Sequence, residues 1–358
     1  MEMRYTINAN LRQCNPYFYT HVFHVKGRWI GMTVLDVFCN EFKSRSEEYY
    51  RLNIDNGTIK LIRNRGLATE QTIDKSLLYS TLIKSGDCVV NTEHKHEPEV
   101  GIGEEIVYQD DNILVVNKPC GVPVHPTGKY YYNTMTEIMK NELGVSSLYP
   151  CHRLDRLTSG ILIIGKTPRA AAKYQTQLKQ NSIQKTYIAR VDGEFPMGNI
   201  VCSDKIVNID CKRGKENGIT EPKEALTNFQ RLAYSTSLNQ SIVKCSPKTG
   251  RTHQIRIHLR NLGHPIANDP LYGFNELLGI RRESPCGTLS EKSFEQVVKL
   301  ATKKRDESRS ANTCPKCGIN LYRQRNPEEL GIWLHALSYR SIDWKFHTRY
   351  PPWAKLQV

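Results

Sequence analysis

Two short runs contain only apolar residues, ILVV at 113–116 and ILII at 161–164, and their length and branching are those of buried strands. Other segments alternate or repeat around them. TVLDVFCNEF (33–42) has apolar residues at helical spacing. Residues 44–62 give a serine start signal, a helical stretch, the turn DNG and an alternating strand TIKLI, and TLIKSGDCVV (81–90) ends in a further turn and strand. HKHEPEV (94–100) reads as a linker. Residues 104–126 predict a strand, an acidic turn and a β-branched strand, then a loop stiffened by Pro119, Pro123 and Pro126. GILIIGKT is read as a buried strand, PRAAAKYQTQLKQ (168–180) as a helix with proline in its first turn, and IQKTYIARVDGEF (183–195) as a strand. Residues 241–273 predict a strand, the turn KTG and a second strand, in which Ile255, Ile257 and Leu259 alternate with Gln254, Arg256 and His258. Residues 276–328 are charged and irregular, with one helix expected near 291–304, and GIWLHALSYRS (331–341) reads as a final core strand. Residues 1–27 read as a polar and aromatic lead-in, and the chain has no internal repeat.

Composition narrows the class. A chain of 358 residues suggests one domain of about 170 residues or more with smaller appendages. Apolar residues make up 39% and mean hydropathy is −0.52, and a disordered chain would not carry four Trp, 18 Tyr and nine Phe. The net charge of +14 points to a polyanionic partner, and nucleic acid fits better than membrane because no apolar stretch approaches the roughly 18 residues of a span. Eleven cysteines without framework spacing suit a reducing compartment, and no secretory signal is recognised. Residues 3–28 lack acidic residues, as a transit peptide would, but also lack serine, so cytoplasm is the expected location, with a mitochondrial or nuclear pool left open. The pattern between 27 and 98, helix, helix, turn and short strands with many Arg and Lys, reads either as a small RNA-binding module or as a charged structural appendage.

The chemistry is reached partly by elimination. No G-x-x-x-x-G-K-[ST] and no G-x-G-x-x-G in a βαβ setting is present. The lone C-x-x-C, Cys314 and Cys317, has no second pair at zinc-ribbon spacing, and HKHEP with TCPKCG fails both halves of a zinc-deaminase signature. A structural zinc there would borrow ligands from elsewhere; the alternative is a reduced turn, and no metal is assigned. In YPCHRLDRLTSG (149–160), Asp155 lies between Arg153 and Arg156. Two guanidiniums within reach would favour the ionised carboxylate, which suits a nucleophile or base better than an acid. The same four residues also describe a surface salt bridge of little energetic weight. Arg256, on a strand whose other face is buried, would need an anionic partner or solvent, and Asp155 is a candidate. Tyr187 is a flat ring on another strand, which core packing would also explain.

HRLDRLTSG resembles the catalytic motif of the RluA-type pseudouridine synthases. DDNILVVNKPCGVPVHP is similar to the family's first motif, KTYIARVDG to its tyrosine motif, and GRTHQIRIHLRNLGHPIANDPLYG to its third. The four stand in the family's order over about 104–275, and WLHALSYRS resembles its late core strand. VHPTGKYYYNT, CPKC before WLHA and the ending YPPWA are similar to the eukaryotic branch acting on uridine 32 of tRNA anticodon loops. The resemblance implies an α+β fold, a central largely antiparallel or mixed sheet flanked by helices, spanning 104–350 with a charged insertion at 276–328. It also implies an S4-like α/β RNA-binding domain at 27–98 and an N-terminal extension at 1–26. It implies a monomeric, cofactor-free isomerase of RNA, tRNA first and ribosomal RNA as the alternative, that does not engage membranes. Asp155 would be the catalytic carboxylate, Arg153 would fill the space left by the extruded nucleotide, Tyr187 would stack on the base, and Arg256 would pair with Asp155. A non-catalytic RNA-binding protein is the competing class, which loss of Asp155 or Tyr187 would have favoured.

Overall fold

The computed structural model describes residues 4–42, 45–180, 182–207, 221–273 and 308–356. The helix expected near 291–304 lies outside them, as does most of the charged stretch from 276. The chain divides into two compact units, one formed by 1–15, 97–313 and 320–358 and the other by 16–96 and 314–319.

The larger unit is built on a mixed sheet. Its strands run in the order Asn199–Cys202, Thr227–Ser235, Gln240–Pro247, Gln184–Asp192, Leu334–Arg340, Ser159–Gly165, Ile113–Lys118, Glu105–Gln109. Neighbours are antiparallel except Ser159–Gly165 against Leu334–Arg340, which run parallel. The two all-apolar runs are neighbouring strands toward one side of this order, and both are buried: Ile113 to Val116 and Ile161 to Ile164 are each at most 1% exposed. Fully burying side chains of this size is worth about 1.5–3 kcal/mol each, so these strands anchor everything attached to their ends. Helices Met135–Leu143 and Pro168–Lys179 contribute Met135, Ile138, Met139 and Ala171 to the same core.

Three expectations need correction. Within 1–27, read as a lead-in, the described residues from 4 onward form strands Tyr5–Asn8, Leu11–Cys14 and Tyr17–His24, the last paired along its length with Cys88–Lys95. Their aromatic and β-branched residues satisfy a pleated surface without a continuous apolar run. The stretch 94–100 is not simply a linker, because that partner strand runs through Lys95, and Glu97 accepts the backbone N–H groups of Tyr131, Tyr132 and Asn133. Most important for the site, Gln254–Asn261 is a helix and not a strand. Burial recurs at Ile255, His258 and Leu259, and the last turn closes with bonds from Gly263 N to Arg260 O (2.9 Å) and from His264 N to Leu259 O (2.9 Å).

The smaller unit has a sheet ordered Tyr17–His24, Cys88–Lys95, Ile59–Arg63, Gln71–Thr72 and two helices, Val34–Glu41 and Glu47–Asp55. Thr33 and Asp36 form a capping box at the first helix, and the Ser46 hydroxyl accepts from Tyr49 N at the second. Trp29, Phe38, Tyr50, Ile54 and Leu61 form its core.

Candidate active site

Asp155 stands at the start of a turn held from three directions. Upstream, Cys151 N bonds Ile163 O (3.0 Å), and the His152 ring accepts from Ile163 N (3.1 Å), which ties the loop to the buried central strand. Burial drives the His152 imidazole down to about 3, so it is a neutral acceptor. The turn closes with Thr158 N to Asp155 O (3.1 Å). Downstream, Arg156 O accepts from Gly121 N (2.8 Å) and from Lys118 Nζ (3.3 Å). Lys118 is wholly buried and also donates to the carbonyls of Pro119 and Val122. Burial pulls its ammonium down to about 7, with Cys120 and Asp155 opposing. One lysine therefore clamps the proline-rich loop to the backbone of the Asp155 turn.

The carboxylate projects into a cleft of about 330 Å³ lined by Arg153, Lys185, Tyr187, His253, Arg256 and Tyr339, among others. Its Oδ2 lies 3.4 Å from Arg256 Nη1 and 3.6 Å from His253 Nε2. No hydrogen bond reaches its Oδ1 among the described residues. Arg256 is more firmly held elsewhere: Nε and Nη2 make a bidentate pair with Asp269 at 2.7 and 2.9 Å, both side chains almost fully buried. Burial works against charge on both partners, yet their mutual contact wins, raising the Arg256 pKa and lowering that of Asp269. Asp269 in turn accepts the N–H groups of Leu271 and Tyr272. The helix delivers Arg256 because His253 begins it in the left-handed region (φ 56°), and Gln254 ties the preceding loop through Thr249, Arg251 and Leu226.

Across the cleft, the Tyr187 hydroxyl bonds that of Tyr339 at 2.6 Å. Burial pushes the Tyr187 phenol up to about 12, with Tyr339 lowering and Asp155 raising it. The register between the two strands slips here, Thr186 facing Ser338 and Tyr187 facing Ala336, so Leu337 is an extra residue that re-aims the neighbouring side chains.

The structure thus brings Asp155, Arg153, Tyr187 and Arg256 to one cleft. Arg153 is exposed at its rim. Arg156 turns away and lies over the Tyr130 ring at 6.0 Å, with no ion pair to Asp155 among the described residues. Lys118, His253, Asp269 and Tyr339 were not singled out from sequence. Their only signal was membership of the motif stretches, which does not reveal who meets whom in space.

Residues 112–261, which include Asp155, Arg153, Tyr187 and Arg256, match the family model described as RNA pseudouridylate synthase. The chain is 36% identical over 386 residues to a Saccharomyces cerevisiae protein named tRNA pseudouridine(32) synthase, mitochondrial, covering 99% of this chain and 79% of that protein. It is equally, 36%, identical over 400 residues to the same organism's tRNA pseudouridine(31) synthase, covering 98% and 97%. It is 30% identical over 250 residues to Ribosomal large subunit pseudouridine synthase D of Nitrosomonas europaea, covering 68% of each. With these relatives and this motif order, the chain belongs to the RluA-type family of RNA pseudouridine synthases.

Proposed function

We propose that this pseudouridine synthase acts on tRNA, on uridine 32 of the anticodon loop, with Asp155 as its catalytic residue and without a cofactor. The observation that carries the reading is the Asp155 carboxylate, set in a cleft with one oxygen uncommitted among the described residues and facing a guanidinium whose other nitrogens are taken by Asp269. The N1–C1′ bond breaks and a C1′–C5 bond forms; C5 gives up a proton and N1 receives one. The balance requires a group that acts on the nucleoside and a path for the proton, and no oxidant. A stacked uridine must first leave the loop, at a cost of a few kcal/mol. Arg153 fills the space it leaves, and the Tyr187 ring receives the base, a contact worth roughly 1–3 kcal/mol. The cleft falls at the lower end of the roughly 300–1,000 Å³ of small-molecule sites, suited to one nucleotide.

The active form is taken to be a monomer. Support for the smaller unit as an S4-like RNA-binding module comes from its two capped helices followed by strands. No helix among the described residues is long and apolar enough to cross a membrane. We place the activity in the cytoplasm, with a mitochondrial pool as the second location. Position 31 is the second reading of the target, because the relatives named for 31 and 32 are equally identical to the chain.

Asp155→Asn tests the assignment. Pseudouridine formation on tRNA should be lost while tRNA affinity stays within a few-fold, and comparable modification by the variant removes Asp155 from its role. Pseudouridine mapping in cells lacking the protein separates the substrates: loss at 32 supports the reading, loss at 31 moves the target by one nucleotide, and loss in ribosomal RNA alone overturns it.

A further inference from the structure

The smaller unit contains a side-chain cluster that the uridine chemistry does not use. His94, His96, Cys314 and Cys317 each bring one donor atom into a space where all four lie within 4.8 Å of one another. Two residues of the set lie at the end of one strand, His94 within it and His96 just past it, and the other two come from a turn more than 200 positions later. Cys314 Sγ lies 3.6 Å from His94 Nδ1, and Cys317 Sγ lies 3.4 Å from His96 Nε2. A tetrahedral ion with metal–sulfur bonds of about 2.3 Å and metal–nitrogen bonds of about 2.0–2.1 Å requires ligand–ligand separations of roughly 3.3–3.8 Å.

Each half of the cluster is shaped for this. His94 and His96 are two apart at the end of Cys88–Lys95, so an extended backbone sends both rings to one side, with ring centroids 4.7 Å apart. Cys314 to Ile319 forms a tight reversal: Gly318 N bonds Cys314 O at 2.8 Å, and Cys314 N bonds Ile319 O at 2.9 Å. Gly318 takes φ +68°, which a side chain would resist. Neither half alone makes a site. Together they are a Cys2His2 set with no carboxylate, the donor chemistry of a closed structural zinc site.

We propose that this protein binds one zinc ion through His94, His96, Cys314 and Cys317, and that the ion fastens the turn Cys314–Ile319 to the strand Cys88–Lys95. The turn belongs to the smaller unit, whereas the strands on either side of it, Arg309–Thr313 and Asn320–Tyr322, belong to the larger. The ion stabilises the fold of the smaller unit and takes no part in the chemistry at Asp155.

The test uses the full chain purified without chelator or affinity metal. Elemental analysis should find about one zinc per chain. Cys314→Ser/Cys317→Ser and His94→Gln/His96→Gln should each reduce it to less than a tenth, while Cys39→Ser, elsewhere in the same unit, leaves it unchanged. Full zinc in the histidine pair variant, or zinc absent from the natural chain, overturns the proposal. Should either variant fail to fold, cobalt added to the metal-stripped natural chain decides. Intense tetrahedral ligand-field bands with sulfur-to-cobalt charge transfer support the site, and their absence overturns it.

Discussion

At Arg256 a single guanidinium faces two carboxylates that are not equivalent. Asp269 takes two of its nitrogens at 2.7 and 2.9 Å in a buried fork, whereas Asp155 receives the third at 3.4 Å in a partly open cleft. The tighter pair fixes the guanidinium plane, and the looser one touches only Oδ2 of Asp155, leaving its Oδ1 without a hydrogen bond among the described residues. Asp269 is therefore a positioning residue. Asp269→Asn keeps the shape but removes the charge that holds Arg256, freeing the arginine to close on Asp155. By analogy with the roughly 10- to 100-fold loss when the supporting partners of a metal ligand are removed, we expect kcat to fall by about 10- to 100-fold, with KM for tRNA changed far less. Breaking a buried pair also costs about 3–5 kcal/mol, so the melting temperature should fall as well. Unchanged kcat in a destabilised variant would reduce Asp269 to a purely structural role. Sequence could not reveal this division: Asp155 and Arg256 stood out through their motifs, but nothing in the chain says that Arg256 has a stronger partner thirteen residues on.

Between residue and molecule, the elements show which patterns can be read and which mislead. The strands Ile113–Lys118 and Ser159–Gly165 were legible because unbroken β-branched runs of that length have few other uses. The helix Gln254–Asn261 was not, because Ile255, Ile257 and Leu259 satisfy period two, while Ile255 and Leu259 are also four apart and so share a helix face. The left-handed start at His253 is a tertiary feature with no sequence mark. Strand Tyr17–His24 was missed because its burial alternates only partly and its residues are as polar as they are aromatic. A position legible only in the structure is Gly160, where the Asp155 turn enters the central strand. It adopts φ +111°, and a Cβ there would overlap the Ala336 carbonyl in the parallel pairing. Gly160→Ala should cost about 3 kcal/mol or more, from the glycine-only backbone region plus the clash, lowering the melting temperature by roughly 6–12 °C. Gly144→Ala, at φ +67° in open space, should cost about 1–2 kcal/mol. Equal losses in a calorimetric comparison would show that the Ala336 contact is not what Gly160 serves.

On the scale of the whole molecule, the charge of +14 is divided between the units roughly in proportion to their length. Residues 16–96 with 314–319 hold twelve Lys and Arg against nine Asp and Glu, a surplus of three, so the remaining chain carries eleven of the fourteen. Within 27–98, where the sequence reading noted many Arg and Lys, ten basic side chains are matched by ten acidic ones. Phosphate contacts set RNA affinity and its salt dependence, each contact with a single strand contributing about 0.7 to the slope of log affinity against log salt. If contacts follow charge, the slope belongs mainly to the larger unit, around the cleft. Arg153, Lys248 and Arg251 are exposed there, and Lys60, Arg65 and Lys84 are exposed on the smaller unit. Changing the first set to Gln should lower the slope for tRNA by about 2, read by filter binding between low and physiological salt. Changing the second set should lower it by less than 1. A larger drop from the second set would mean that placement outweighs charge and that the smaller unit, despite its near balance, supplies most of the phosphate grip.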